Sequence, residues 1–262
     1  MSRSLKLPLF LLVGGSVAVA SCASGSRSER RAYVERPVEL LYNSAATELD
    51  RRSYDEAIAL FNEVERQHPY SEWARRATLM SAYASYKSRR YDDAITTAQR
   101  YVGLHPGSEG AAYAYHVIAL SHFDQIIDVG RDQRTTELAK AALEDVIRRF
   151  PESEYAKDSR LKLDMVNDQL AGKEMTIGRW YLRRNQHLPA INRFKTVVEQ
   201  YETTSHAPEA LHRLVEAYMS VGLMDQAQQV AAVLGHNHAD TRWYADTYAL
   251  MERRGGTLFA EN

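Results

Sequence analysis

The sequence predicts an all-α protein, a superhelical solenoid of about five helix–turn–helix repeats. From residue 38 onward, apolar residues recur at the three- and four-residue spacing of amphipathic helices, and runs of alternating apolar and polar residues are absent. The chain also repeats itself, since Ala57 and Ala94 stand at matching places 37 residues apart. Single units of this kind cannot bury their apolar faces alone, so successive units must stack.

The chain begins with the pattern of an export signal. Arg3 and Lys6 precede an apolar run from Leu7 to Ala20, which is 14 residues long and contains Pro8. A membrane-spanning helix needs about 20 apolar residues. We therefore interpret residues 1–21 as a signal peptide and leave them out of the fold.

Cys22 is the only cysteine and directly follows this run. Small residues before a single cysteine at this place resemble a bacterial lipobox, which implies cleavage before Cys22 and acylation of its sulfur and new amino group. Ala23 follows where Asp would signal retention in the inner membrane, so the resemblance implies a lipid anchor in the outer membrane, facing the periplasm. The alternatives are an uncleaved anchor and an ordinary signal peptide with an incidental cysteine.

Residues 22–37 are small, polar and charged and have little to bury, so we expect the lipidated cysteine to be followed by a flexible tether. The chain has a net charge of −1, and it therefore lacks the strong electrostatic field that attracts nucleic acid. With one cysteine it forms no intramolecular disulfide. The mature chain must be held together by its apolar core.

Repeats 1–3 are predicted over residues 38–152. The third copy of the small residue, Ala139, comes 45 residues after Ala94 instead of 37, so about eight residues are inserted, and we place them in the loop Asp128–Thr135. All five repeats carry this residue where their two helices cross closely, as Ala57, Ala94, Ala139, Ala190 and Ala227.

A proline ends the second helix of each early repeat, because proline cannot donate a hydrogen bond to the preceding turn. The serine two residues later is expected to cap the first helix of the next repeat. Ser53 and Glu56 are likewise interpreted as a capping box.

Residues 153–238 are predicted to hold a long connecting helix and repeats 4–5. Only Gly172 and Gly178 interrupt the pattern over residues 153–186, which indicates one long helix or two nearly continuous ones. Residues 239–262 are predicted to form a capping helix, Asp240–Arg254, and a loose tail.

The pattern of a small residue, Tyr, Ala, Phe and then Pro resembles tetratricopeptide repeats. With the lipobox and the tether, it resembles the BamD family, lipoprotein subunits of the machine that folds β-barrels into the outer membrane. The resemblance covers Cys22 to about His238. It is carried by the Pro-x-Ser-Glu-x-Ala junctions at residues 69–74, 106–111 and 151–156, the insertion, the long helix with Trp180-Tyr181, and Asn192-Arg193.

The resemblance implies a division of labour and no enzyme activity. Repeats 1–3 face the unfolded outer-membrane β-barrel protein and its C-terminal signal. Repeats 4–5 dock onto a periplasmic POTRA domain of the barrel subunit BamA, with contacts carried over to Asn192 and Arg193, and other Bam lipoproteins are further candidate partners. The alternative for Arg193 is an ordinary solvated arginine.

In such solenoids the first helix of each repeat lines the concave surface, and an aromatic groove there suits barrel proteins, which typically end in an aromatic residue and a free carboxylate. Arg76 or Lys87 is expected to receive that carboxylate. The alternative is that the tyrosines fill gaps between helices. The 37-residue register places these residues in the groove: Tyr42, Arg76, Tyr83, Tyr86, Lys87, Tyr113, His116 and Phe123.

The sequence does not favour catalysis, a cofactor or a metal. Lipidation uses the lone thiol, and the chain has neither a Gly-x-Ser-x-Gly elbow nor a phosphate-binding loop. His236 and His238 make a weak metal site without further ligands. Two alternatives remain: another tetratricopeptide lipoprotein, such as a pilus pilotin or an adaptor for peptidoglycan enzymes, and a helical-solenoid enzyme such as a lytic transglycosylase, which needs a catalytic domain that no residues remain to build.

Overall fold

A computed structural model of the chain describes residues 36–127 and 133–253. The signal peptide, Cys22, most of the tether, residues 128–132 and the tail from residue 254 lie outside the described residues. The described residues form eleven α-helices and no strand, which confirms the all-α prediction. The helices are α1 Val38–Asp50, α2 Tyr54–Gln67, α3 Glu72–Lys87, α4 Tyr91–Leu104, α5 Ala111–Phe123, α6 Arg134–Arg149, α7 Glu154–Leu182, α8 His187–Gln200, α9 Ala207–Ser220, α10 Met224–Asn237 and α11 Arg242–Arg253.

Each helix from α1 to α10 packs mainly on its neighbours along the chain, and the first helices of repeats 1 to 4 also touch in succession, as in α1 with α3 and α5 with α7. The five pairs from α1–α2 to α9–α10 are the five repeats, and α11 packs on α9 and α10 after the last pair. The apolar core is correspondingly divided into clusters that each join successive helices. The first cluster joins α1, α2 and α3 through Leu41, Ala45, Ala57, Phe61, Val64 and Ala77.

The repeated alanines lie where the sequence predicts, and all five are fully buried. Four residues further on, the second helix of each repeat places another fully buried side chain. These side chains are Phe61, Ala98, Leu143, Phe194 and Ala231. The repeats therefore share a backbone register while the volume of each core contact varies.

The predicted serine caps hold at two junctions and fail at two others. Ser71 accepts a hydrogen bond from the Ala74 N–H at 3.0 Å, and Ser153 caps α7 in the same way at 3.1 Å. The capping-box prediction for Ser53 is wrong, since its side chain makes no capping hydrogen bond. Ser108 does not cap α5 either, because α5 begins only at Ala111, with Gly110 at the N-cap position, and the Ser108 hydroxyl contacts that of Tyr101.

The connecting segment is a single helix, α7, of 29 residues. Gly172 and Gly178 are buried on its packed side and do not break it. Helix α6 begins at Arg134, so the end of the predicted loop Asp128–Thr135 is helical. No helix in the described part of the chain is long and apolar enough to cross a membrane.

Directly before α1, the backbone of Arg36 is hydrogen-bonded to the first repeat. The Arg36 N–H donates to Oε1 of Gln67 at 3.1 Å, and the Arg36 carbonyl lies 2.9 Å from Nε2 of His68. The end of the predicted flexible tether is therefore hydrogen-bonded to the end of α2.

Candidate functional site

Helix α3 carries a stripe of four side chains that the fold leaves at least partly uncovered. Arg76, Met80, Tyr83 and Lys87 are spaced by four, three and four residues, so they share one face of the helix. Over eleven residues a helix rises about 16 Å. A positive charge therefore stands at each end of an apolar and aromatic strip of that length.

Aromatic rings continue from this stripe across the neighbouring helices. The ring of Tyr83 lies 6.1 Å from that of Tyr113 on α5, and Tyr113 lies 5.5 Å from Tyr155 on α7. These are ordinary separations for interacting aromatic rings. We call the following set the aromatic surface: Tyr42, Trp73, Tyr83, Tyr86, Tyr113 and Tyr155.

The aromatic surface reaches α1 through Tyr42, whose ring lies 4.9 Å from Trp73 and 5.5 Å from Phe61. Burial raises the pKa of Tyr42, so this tyrosine stays protonated and is partly a core residue. The guanidinium of Arg76 lies 5.6 Å from the Trp73 ring. Trp73 is therefore a part of the site that sequence reasoning missed.

Tyr86 and Phe123 lie at the other end of the α3 stripe. The Tyr86 hydroxyl donates to Oδ2 of Asp124 at 2.8 Å, and burial together with this carboxylate raises the pKa of Tyr86. The ring of Phe123 lies 5.7 Å from the ammonium of Lys162 on α7. Tyr86 thus belongs to the aromatic surface and Phe123 lies beside it, and each has a partner on a neighbouring helix or turn.

Two cations of this surface are free of carboxylates. The Lys87 ammonium lies 5.9 Å from the Tyr83 ring, and Arg76 contacts Trp73. Among the ion pairs of the described residues, neither Arg76 nor Lys87 takes part. A cation on an aromatic ring without a carboxylate partner is available to an incoming anion.

His116 lies beneath the aromatic surface. It is only 8% exposed, its ring lies 5.0 Å from that of Tyr155, and its Nε2 lies 3.6 Å from Oδ2 of Asp158. Burial lowers the pKa of His116, so its ring is neutral at neutral pH. The repeat register correctly predicts that His116 lies on the first helix of repeat 3. Its ring is buried against Tyr155 and Asp158 and supports the aromatic surface from below.

A depression of about 320 Å³ lies between the end of α5 and helix α7, beyond the residues predicted to form the groove. Its apolar lining comes from Phe123, Ile126, Met165 and Val166. Sequence reasoning missed it, although Met165 follows Tyr83 by 82 residues, the sum of the 37- and 45-residue repeat offsets. Projecting the register one repeat further would have found it.

The two residues predicted to bind a partner, Asn192 and Arg193, lie together at a second depression. Its volume is about 200 Å³, and it is lined by Tyr181, Pro189, Asn192, Arg193 and Thr196. Nη1 of Arg193 donates to Oε2 of Glu174 at 3.0 Å, and the Arg193 side chain is 43% exposed. Arg193 is therefore oriented by a carboxylate of α7 and still reaches solvent.

An aromatic pair adjoins this second depression, of which Trp180 is exposed and Tyr181 is partly buried. Trp180 and Tyr181 meet edge to face at 4.9 Å, and the Arg184 guanidinium lies 3.8 Å from the Trp180 ring. Leu188 is 65% exposed nearby in sequence. Exposed Trp, Tyr and Arg are the residue types that dominate protein interfaces.

In the part of the chain that the structure describes, no three His, Cys, Asp or Glu side chains come together as metal ligands. His236 lies in the last turn of α10, and His238 is its C-cap residue.

Comparisons with family models and with known sequences point to the same family. The YfiO family, described as an outer membrane lipoprotein, matches residues 34–234. The chain is similar to the outer membrane protein assembly factor BamD of Caulobacter vibrioides, at 55% identity over 92% of this chain and 79% of that protein. It is 43% identical to BamD of Rickettsia prowazekii, over 94% and 97% of the two chains. A solved tetratricopeptide-repeat protein of Thermus thermophilus is 18% identical, with 83% of this chain and 100% of that chain covered and a TM-score of 0.39.

Proposed function

The chain belongs to the YfiO family of outer membrane lipoproteins, and from this membership we propose that it is a scaffold of the outer-membrane β-barrel assembly machine. The observation that carries the proposal is the 55% identity to an outer membrane protein assembly factor over 92% of the chain. In this proposal, lipid on Cys22 holds the chain at the periplasmic face of the outer membrane. Repeats 1–3 bind substrate, repeats 4–5 bind BamA, and the chain catalyses no reaction.

The first experiment is capture of the full chain from gently solubilised outer membranes, followed by mass spectrometry of stoichiometric partners. A β-barrel protein with POTRA domains, present one to one, is the expected result. Pilus secretins or peptidoglycan enzymes in its place would overturn the proposal in favour of another lipoprotein adaptor.

For the substrate, we propose an extended C-terminal segment of an unfolded barrel protein lying on the aromatic surface. A strand rises about 3.3 Å per residue, so the strip of about 16 Å between Arg76 and Lys87 spans about five residues. Aromatic side chains of the segment would pack on the tyrosine rings. The terminal carboxylate would pair with one of the two cations, each of which lacks a carboxylate partner among the described residues.

This binding mode is tested with a peptide that ends in phenylalanine, carrying either a free carboxylate or a C-terminal amide. We expect amidation to weaken binding by about tenfold, because the amide oxygen can still accept a hydrogen bond but a bond to a carboxylate is about twice as strong. One of the variants Arg76→Gln and Lys87→Gln removes the cation that receives the carboxylate. In that variant, the free and the amidated peptide should bind with equal affinity. Equal affinity of both peptides for the wild-type chain would contradict the proposal.

The tyrosines are tested separately from the cations. Tyr83→Ala combined with Tyr86→Ala should weaken binding of the free-carboxylate peptide, because both rings are lost. Tyr86→Phe is the matched control, since it removes only the hydroxyl that donates to Asp124. Unchanged affinity of the double variant would place the peptide elsewhere.

For the partner, we propose that Arg193, with Asn192, contacts a POTRA domain of BamA. The support is the exposed guanidinium at the edge of the second depression, held by Glu174. Arg193→Glu should abolish co-purification of BamA, because it reverses the charge and also repels Glu174.

Glu174→Gln is the matched control for this contact, since it removes the internal carboxylate and keeps Arg193. If Arg193 binds the partner directly, Glu174→Gln retains BamA. If the internal pair serves only the fold, Glu174→Gln and Arg193→Gln should lower thermal stability alike and leave BamA bound, which would contradict the contact.

A further inference from the structure

Helix α11 is held on α9 by a buried polar contact between two helices. His212 of α9 is 8% exposed, and Thr247 of α11 is fully buried. Nδ1 of His212 lies 2.8 Å from Oγ1 of Thr247, and the His212 ring lies 5.3 Å from that of Trp243, also on α11. We call His212, Trp243 and Thr247 the α11 latch.

The hydrogen bonds of the latch define the state of the histidine. Oγ1 of Thr247 lies 2.7 Å from the Trp243 carbonyl and donates its only hydrogen there. It can therefore only accept from Nδ1 of His212, which must carry a hydrogen. The neutral ring already satisfies this contact with the Nδ1 hydrogen alone, and protonation adds a hydrogen and a charge at Nε2.

A charged His212 would meet a crowded electrostatic environment. The Trp243 ring already has the guanidinium of Arg242 at 4.3 Å and that of Arg213 at 5.6 Å, so an imidazolium would be a third cation on one ring. Three carboxylates act in the opposite sense: Glu209 and Glu216 on α9 and Asp246 on α11.

Burial decides the balance among these effects. Loss of hydration is the largest influence on His212, and the neighbouring Arg213 acts in the same direction; together they outweigh the carboxylates and lower the pKa of His212. Among the described residues, the charges that shift this pKa lie on α9 and α11 only.

We propose that the α11 latch is acid-sensitive, so that neutral His212 holds α11 in place and protonation releases it. In the released state the imidazole is hydrated and regains its ordinary affinity for protons, whereas in the docked state it resists them. Docking is thus fully stabilised above the ordinary histidine pKa and weakens as pH falls through that value toward the lowered pKa of the docked state.

Release of α11 would uncover apolar surface at the end of the last repeat. Met251 of α11 is fully buried against the cluster that contains Val215 and Met219 of α9. Acidification would therefore loosen the end of repeat 5 through His212. The latch does not depend on which partner or substrate the chain binds.

The latch is tested by amide hydrogen exchange of the full chain in detergent, with each rate corrected for the intrinsic effect of pH. Between pH 7.5 and 5.5 we expect the protection of α11 to fall by about threefold to tenfold, the upper limit being that of one histidine with an ordinary pKa in the released state. The protection of α2, which packs on α1 and α3, should not change. In His212→Gln, which keeps a hydrogen-bond donor and does not titrate in this range, the protection of α11 should not depend on pH.

Two controls separate the latch from general acid sensitivity. His116→Gln removes another buried histidine, on α5, and should leave the response of α11 intact. Exchange of the imidazole C2 hydrogens of the unmodified chain, followed by mass spectrometry, reports each histidine pKa without any variant. A pKa of His212 equal to or above that of the exposed His236, or the same loss of α11 protection in His212→Gln, would overturn the proposal.

Discussion

Gly178 shows how a single position sets the approach of two helices. A methyl group at Gly178 would lie 2.5 Å from Cε1 of Phe194, which is fully buried. Because the Phe194 ring is enclosed by other core side chains, it cannot move aside freely. We expect Gly178→Ala to lower the free energy of unfolding by about 1–3 kcal/mol, the usual cost of overpacking a core, as measured by urea denaturation.

Gly103 is the matched control, since it also lies in a helix but has no atom within 4 Å of the position of an added methyl group. Gly103→Ala should raise the free energy of unfolding by about 0.5–1 kcal/mol, because alanine loses less backbone entropy on folding than glycine. If both variants shifted stability in the same direction, close packing at Gly178 would not be the cause.

Single residues also show where sequence reasoning about the site stops. The register places Tyr83, Tyr113 and His116 on the first helices of their repeats, and all three lie there. It does not give depth, so it could not show that Tyr155 of α7 covers His116. Nor does a register predict the pairing of Arg193 with Glu174, because that contact depends on the angle between α7 and α8.

At the level of whole helices, one motif has different outcomes at equivalent junctions. Ser71 and Ser153 cap their helices, whereas Ser108 contacts the hydroxyl of Tyr101. Tyr101 stands where the previous repeat has Val64, 37 residues earlier. The larger side chain fills the junction, and a Cβ at Gly110 would lie 2.5 Å from the Tyr101 hydroxyl.

The sequence already contains two compensating differences between repeats 1 and 2 at this junction. Gly110 stands where the previous repeat has Trp73, so a small residue faces the large Tyr101. The starts of α3 and α7 at the glutamate of the Pro-x-Ser-Glu junction were predictable, whereas α5 begins two residues after that glutamate, at Ala111. The cap of α5 was not, because it depends on a contact between side chains of two helices.

The helix caps lead to a testable difference between two serines. Ser71 accepts from the Ala74 N–H and donates to the His68 carbonyl at 2.8 Å. We expect Ser71→Ala to lower the free energy of unfolding by about 1 kcal/mol, the typical cost of losing an N-cap. Ser53→Ala is the control and should cost clearly less, since Ser53 makes no capping hydrogen bond. Equal losses in urea denaturation would contradict the assignment.

At the level of the whole molecule, the described fold follows from a short repeated pattern. The buried alanines and the side chains four residues after them fix which faces of the helices meet, and both sets follow from the repeat register, whose offset is 37 residues except where repeats 3 and 4 begin later. The continuous course of α7 was one of two possibilities, because Gly172 and Gly178 are compatible with either a break or close packing. In the structure both glycines are buried inside one helix, and Gly178 makes room for the ring of Phe194.

Because the core consists of clusters that each join neighbouring helices, stability should be local along the chain. Phe61 and Phe194 occupy the same place in repeats 1 and 4, are fully buried and belong to different clusters. Leucine occupies this place in repeat 3, as Leu143. We expect Phe61→Leu and Phe194→Leu each to lower stability by about 1–3 kcal/mol.

The location of the loss is the informative result. Hydrogen exchange should rise in α1–α3 for Phe61→Leu and in α7–α9 for Phe194→Leu, because each leucine leaves a gap only within its own cluster. The double variant should show the sum of the two effects, since the sites share no neighbours. A uniform rise over all helices for either single variant would instead mean that the five repeats unfold as one cooperative unit.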